Sequence, residues 1–307
     1  MKTLRVLTFL ALILTLTACS APDLPQATTP VETGVDPNAW ATVPAGSFLY
    51  GQQETKQDIP YDYDIMVTPV TNAQFAAYLN QAVAGGALKI AGEQVVGYYP
   101  GDEFHGKKHE EPIEAGDWPH YPVNLKGARI AYTAGQFQPQ PGYENHPVTM
   151  VTWFGAQAYC QAQNSRLPGE MEWEKAARGA QDNRAYPWGN TLERNQANYY
   201  SSRDIFEKVM GKGGETTPVG FYNGKTYDGY ATLDGASPYG VYDMAGNVWQ
   251  WTGDIYAGIH YRYLRGGSKA DYGYNLRVWT RNNVRPDYEG PSIGFRCARG
   301  GQSTASQ

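Results

Sequence analysis

Residues 239–254 read YGVYDMAGNVWQWTGD, and this stretch decides the fold. It holds two tryptophans, two tyrosines, two acids, the amides Asn247 and Gln250, and three glycines. So many aromatics belong out of water, while the glycines weaken a plain helix. The segment therefore reads as a centre built on tight backbone turns.

Downstream, Leu264-Arg265-Gly266-Gly267-Ser268 is a strand end running into a double-glycine turn that lets backbones approach closely. Residues 277–281 and 293–297 read as the last two strands. Around them lie Tyr256, Tyr261, Tyr263, Tyr272, Tyr274, Trp279 and Tyr288, more rings than core filling needs. Large, stiff side chains on loops suit a binding surface.

Upstream, residues 166–179 (RLPGEMEWEKAARG) form a well-signalled helix, with acids first, bases last and Gly179 as the stop. Residues 147–164 predict a short strand and then a helix capped by Thr152, with Trp153, Ala156, Tyr159 and Cys160 inward. Thr71 and Gln74 form a capping-box pattern before Phe75, Tyr78 and Leu79. Residues 40–51 read as a strand with a turn at 44–46. Residues 89–143 show no clear period and read as a long covering insertion. Within it, His105 and His109 stand four apart beside Glu110, a metal half-site if helical, but Gly106 and Pro112 favour a solvated polar loop.

At the N-terminus a basic Lys2/Arg5 region precedes an apolar run over 6–16, too short for a permanent membrane span, and then Leu16-Thr17-Ala18-Cys19. The pattern resembles a bacterial lipobox. It implies a signal peptide over 1–18, lipidation of Cys19, and an exported chain anchored at the cell envelope, on the outer membrane in a Gram-negative cell. Residues 19–38 are Pro/Thr-rich and read as a disordered tether, 39–300 as one domain and 301–307 as a tail. With Cys19 lipidated, Cys160 and Cys297 are an even pair in an oxidising compartment, so the pair is either a disulfide or two buried thiols. The net charge of −5 and the lack of a basic patch exclude nucleic-acid binding.

The ordered motifs HPVTMVTWFGAQAYC, RLPGEMEWEKAARG, YPWGN, TTPVGFY, YGVYDMAGNVWQWTGD, LRGGS and IGFRC resemble the formylglycine-generating enzyme, or sulfatase-modifying factor, family. That resemblance covers about residues 40–299 and implies an α+β fold: large, irregular, related to the C-type lectin fold and low in regular secondary structure. It implies a Cys160–Cys297 disulfide and a calcium site made of the Asp243 and Gln250 side chains with the Gly246 and Val248 carbonyls. A second calcium site would use Asn198 and the Tyr199 carbonyl. Calcium needs about six to eight oxygens, so waters would complete either shell.

The family enzyme oxidises a substrate cysteine with copper held by two cysteines just after the RGGS turn. Here residues 265–277 read RGGSKADYGYNLR and contain no cysteine. Cu(I) requires soft thiolates, which Asp271 cannot replace, so copper is not expected. The groove-lining positions Trp249 and Ser268, with Asp271 and Tyr272, remain as a candidate cleft without that chemistry. The expectation is a lipid-anchored, non-catalytic protein binding a protein, peptide or glycan. A retroelement-diversified variable protein on the same scaffold is a special form of it, compatible with the Tyr/Asn-rich stretch over 256–288. The alternative is an oxidoreductase-type enzyme with altered chemistry, as in pyoverdine-maturation and ergothioneine-forming relatives. The latter use iron on histidines of a helical domain this chain lacks, so iron is not expected.

Overall fold

The computed structural model describes residues 31–180, 183–206, 214–256 and 258–301. The leader, Cys19, most of the 19–38 tether and nearly all of the tail lie outside the described residues. The packed unit reaches further back than residue 39. Thr33 is buried and its hydroxyl donates to the Val219 carbonyl, while its own carbonyl accepts from Asn223 and Lys225. Backbone groups with partners on distant segments fix a stretch that lacks hydrophobic periodicity.

Strands β1 (Trp40–Val43), β2 (Gly46–Tyr50), β3 (Thr55–Ile59) and β4 (Tyr63–Met66) open the chain. Here β2 pairs with β3, and β1 pairs antiparallel with β4. Helix α1 (Asn72–Ala84) begins in a capping box, in which the Thr71 hydroxyl accepts from Gln74 N–H and the Gln74 side chain accepts from Thr71 N–H. Its Phe75, Tyr78 and Leu79 are buried.

Residues 89–143, expected as an aperiodic cover, instead contribute to five strands. These are β5 (Leu88–Ala91), β6 (Gln94–Tyr99) and β7 (Gly116–Pro122) in one sheet, and β8 (Ile130–Thr133) with β9 (Gln136–Pro139) in another. Each is short, and the register of β6 against β7 shifts at Val95/Val96, which hides a period of two. The strand expected before α2 (Trp153–Ala162) is reduced to a single bridge between Thr71 and Pro147.

Helix α3 (Glu170–Arg178) ends at Gly179, as its charge pattern predicts. The hairpin β10 (Thr226–Tyr227) and β11 (Tyr230–Ala231) comes next, and then β12 (Trp249–Tyr256), β13 (Tyr261–Arg265), β14 (Arg281–Val284), β15 (Ile293–Phe295) and β16 (Ala298–Gly300). The end of the chain thus carries three strands where two were expected, and most of 277–281 is not strand: a single 3-10 turn (Gly273–Leu276) precedes it.

Strand β12 lies inside the sheet β14-β13-β12-β15, antiparallel to β13 and parallel to β15. Strand β16 crosses to β4 and closes the first sheet. The main core gathers α1, α2 and β15 through Phe75, Tyr159 and Phe295, whose ring centroids lie 5.4 to 5.9 Å apart. Cys160 on α2 is bonded to Cys297, between β15 and β16, across 137 residues. A loop of that size is stabilised by about 4 to 5 kcal/mol on the chain-entropy account.

Two histidines sit in this interior. Burial pulls His120 down to about 4 and His146 down to about 3, from an ordinary 6.5. Both therefore stay neutral in the folded chain while the unfolded chain protonates below about 6.5. Stability should be full above pH 6.5 and fall as pH drops towards 4. Urea melts at pH 7 and 5 should show a lower midpoint at pH 5, and His120→Gln should shrink that difference. An unchanged midpoint would mean that these imidazoles are not buried neutral.

Candidate functional site

The 239–248 segment is pinned from several sides by its own backbone. Tyr242 N–H donates to Val67 O, Gly246 N–H to Gly266 O and Asn247 N–H to Asn198 O. Gly246 has φ +80°, and a Cβ there would lie 2.2 Å from the Asn198 carbonyl, so only glycine fits. The Asn247 amide bridges Thr217 in both directions, accepting from its N–H and donating to its carbonyl. Asp243 is half-buried, and its carboxylate accepts from Gly220 N–H at 2.7 Å.

Gln250 does not fit the calcium role implied for it. Its Oε1 accepts from Trp173 Nε1 at 2.9 Å and from Arg296 Nε at 2.7 Å. Both partners can only donate, so the amide cannot be flipped. Its Nε2 therefore points at the Asp243 carbonyl, 2.7 Å away, and an amide nitrogen does not ligate calcium.

A protein cation already sits here. Arg296 is fully buried and also donates to the carbonyls of Met66, Val67, Tyr242 and Asp243. Burial pulls its guanidinium down to about 9 against the opposing pull of Asp243. Burial likewise raises the Asp243 carboxyl, opposed by the Gly220 N–H and Arg296. With Gln250 committed, the loop keeps only the Asp243 carboxylate and the Gly246 and Val248 carbonyls of the implied ligand set, against about six to eight oxygens that calcium needs. At the second expected site, Asn198 Nδ2 donates to Glu215 O and the Tyr199 carbonyl accepts from Ser202 N–H.

The candidate cleft is only partly assembled. Gly266 and Gly267 both have positive φ, which turns β13 sharply into Ser268. Asp271 Oδ2 accepts from the Ser268 N–H at 3.0 Å and its hydroxyl at 2.5 Å, while Oδ1 accepts from Asn275 Nδ2 at 2.8 Å. This carboxylate is thus engaged in closing its own turn. Tyr272 faces outward against Tyr200, and Trp249 is buried in the main core on β12. The tyrosine-rich stretch divides likewise: Tyr261 and Tyr288 line one cavity of about 570 Å³, and Tyr274 and Trp279 line another. None of the four cleft residues lines either cavity.

A cluster that the sequence reading missed lies at the start of β13. The His260 ring is held between Asp102 Oδ2 at 2.9 Å and Glu110 Oε1 at 2.8 Å, and Arg262 bonds Asp102 at 2.7 Å. Glu110 also accepts from the backbone N–H of His105 and Lys107. Although burial opposes its ionisation, these backbone donors and the two imidazoles bring Glu110 down to about 2. The loop around His105 is therefore clamped through a buried carboxylate rather than merely solvated, and His109 is exposed. Among the described residues, no group of three or more His, Cys, Asp or Glu side chains is arranged to hold a metal ion.

The family profile described as "Sulfatase-modifying factor enzyme 1-like domain" matches residues 26–300. The chain is 30% identical to the formylglycine-generating enzyme of Streptomyces coelicolor, over 79% of this chain and 80% of that protein. It is 38% identical to the inactive C-alpha-formylglycine-generating enzyme 2 of Bos taurus, over half of each chain. It is also 31% identical to the serine/threonine-protein kinase pkn1 of Chlamydia caviae, of which it spans 37% of the length. Its fold matches PvdO from Pseudomonas aeruginosa with a TM-score of 0.54 at 21% identity, covering 90% of this chain and 99% of that one.

Removing Arg296 should expose the role of the buried cation. Arg296→Met removes the guanidinium's bonds to Gln250 and four carbonyls and its charge beside Asp243, and should cost on the order of 3 to 5 kcal/mol. Melting of the native protein should be the same in millimolar calcium and in chelator. A calcium-dependent rise of several degrees would contradict the assignment of this loop to Arg296.

Proposed function

Because the chain belongs to the sulfatase-modifying factor enzyme 1-like family, we propose that it is a non-catalytic member, exported and held at a bacterial envelope by lipid on Cys19, where its scaffold binds a protein, peptide or glycan. The observation that carries this reading is the position of the thiols. Residues 266–296 contain no cysteine, and the two cysteines beyond Cys19 are bonded to each other. Copper-dependent oxidation of a cysteine needs thiolate ligands, and a disulfide offers none.

The segment after the RGGS turn supports the same reading. A reactive group there would need a free side chain facing substrate, whereas Asp271 is engaged by Ser268 and Asn275. The inactive relative illustrates that the family scaffold can exist without the reaction. Among the described residues no helix is long and apolar enough to cross a membrane, so attachment rests on the leader and Cys19.

Two measurements test the parts separately. Protein loaded with Cu(I) and given a cysteine-containing sulfatase peptide should yield no formylglycine by mass spectrometry; turnover would overturn the non-catalytic reading. In a bacterial host, the native chain should take up labelled palmitate and sediment with membranes, and Cys19→Ser should do neither. An unlabelled native chain would overturn the anchoring.

A further inference from the structure

The β2–β3 hairpin and the segment 274–281 face each other across a cavity of about 670 Å³. Its walls carry the rings of Tyr50, Tyr274 and Trp279. Gln52, Gln53, Gln57, Thr55 and Thr280 also line it. Among the described residues no aliphatic side chain lines it. Flat rings beside many neutral donors and acceptors suit a ligand with both ring faces and hydroxyls, and are poorly matched to an apolar peptide anchor.

The charge beneath the cavity is unbalanced. Glu174 forms its floor, fully buried, and is already bonded to Arg265 and, at 2.9 Å, to Arg178. Glu170 is shared by Arg265 at 3.5 Å and Arg281 at 3.4 Å. Among the described residues Arg277 has no carboxylate partner, and its guanidinium lies 5.7 Å from the Trp279 ring centre. Arg178 is fully buried on the same ring, 5.3 Å from its centre, with Nε and Nη1 unpartnered. Four guanidinium groups thus stand over two carboxylates. Tyr50 remains a donor, because burial, and next Glu170, push its phenol up to about 12.

We propose that this cavity binds the carboxylate of an acidic saccharide, such as a uronic acid residue, with Arg277 and Arg281 on the carboxylate and the sugar face against Trp279 and Tyr274. Planar guanidinium forks match a carboxylate in two bonds, and the buried Arg178 and Arg265 keep the site positive from behind. The assignment goes beyond the non-catalytic reading and does not rest on it, since neither Ser268 nor Trp249 lines this cavity.

Calorimetry at low salt tests it with tetragalacturonate, its methyl ester, an oligosaccharide of N-acetylneuraminic acid and a glutamate-rich peptide. At least one acidic sugar should bind, with the ester about tenfold weaker or more when galacturonate is the one bound. Arg277→Gln and Arg281→Gln should each weaken that binding by about tenfold, the loss of one charge-assisted pair. Both variants should keep the native circular dichroism, and Arg285→Gln, at the other cavity, should bind as the native chain does. The assignment is overturned if neither acidic sugar binds, if acid and ester bind alike, if the arginine variants fold and bind normally, or if only the peptide binds.

Discussion

One guanidinium connects the parts of this molecule that regular secondary structure leaves separate. Arg296 reaches the end of β4 through the Met66 carbonyl, the central turn through the Tyr242 and Asp243 carbonyls, and β12 through Gln250. Gln250 in turn receives the indole N–H of Trp173 on α3. Strands, turn and helix therefore share one buried hydrogen-bonded network. Such a network is favourable only when every member is satisfied, since an orphaned buried charge costs several kcal/mol. That is why the 239–254 segment folds as it does: its glycines admit close backbones, and its Gln250 amide completes the arginine's shell.

Helix α3 extends the same principle. Its charged residues Glu170, Glu172, Glu174, Lys175 and Arg178 are all buried. Lys175 Nζ donates to the Pro44 and Gly46 carbonyls, and Glu174 accepts from Gly51 N–H, so the helix serves as a polar clamp on the β1–β3 region. A chain with so many loops has many backbone groups outside sheets, and charged side chains on a rigid helix supply their partners.

Elements governed by neighbours in sequence were legible in advance. The Thr71 box, the Thr152 cap, the Gly179 stop and the Gly266-Gly267 turn all depend on residues within about one turn of each other. The five strands touching 89–143 were not, because each is short and one pairing is bulged. The His260 cluster was equally hidden: its acids lie 150 and 158 residues away, so no local spacing links them. The family resemblance implied an ion at Asp243 and Gln250, but the cation present, Arg296, lies 46 residues beyond Gln250. One signal was available: a glutamine in place of an acid offers a nitrogen as readily as an oxygen.

The thiol chemistry of this chain is separate from the network that holds its fold. Nothing that holds the scaffold together needs a free thiol, and the cysteines it uses are joined to each other. The scaffold can persist while the turn after Gly267 carries no cysteine and its side chains close on themselves. The most direct measurement of this separation between scaffold and chemistry is a competition titration of Cu(I) between a colorimetric chelator and the folded protein carrying Cys19→Ser. The account predicts that the chelator keeps all the copper. Withdrawal of one equivalent by the protein, with the Cys160–Cys297 disulfide intact, would contradict it.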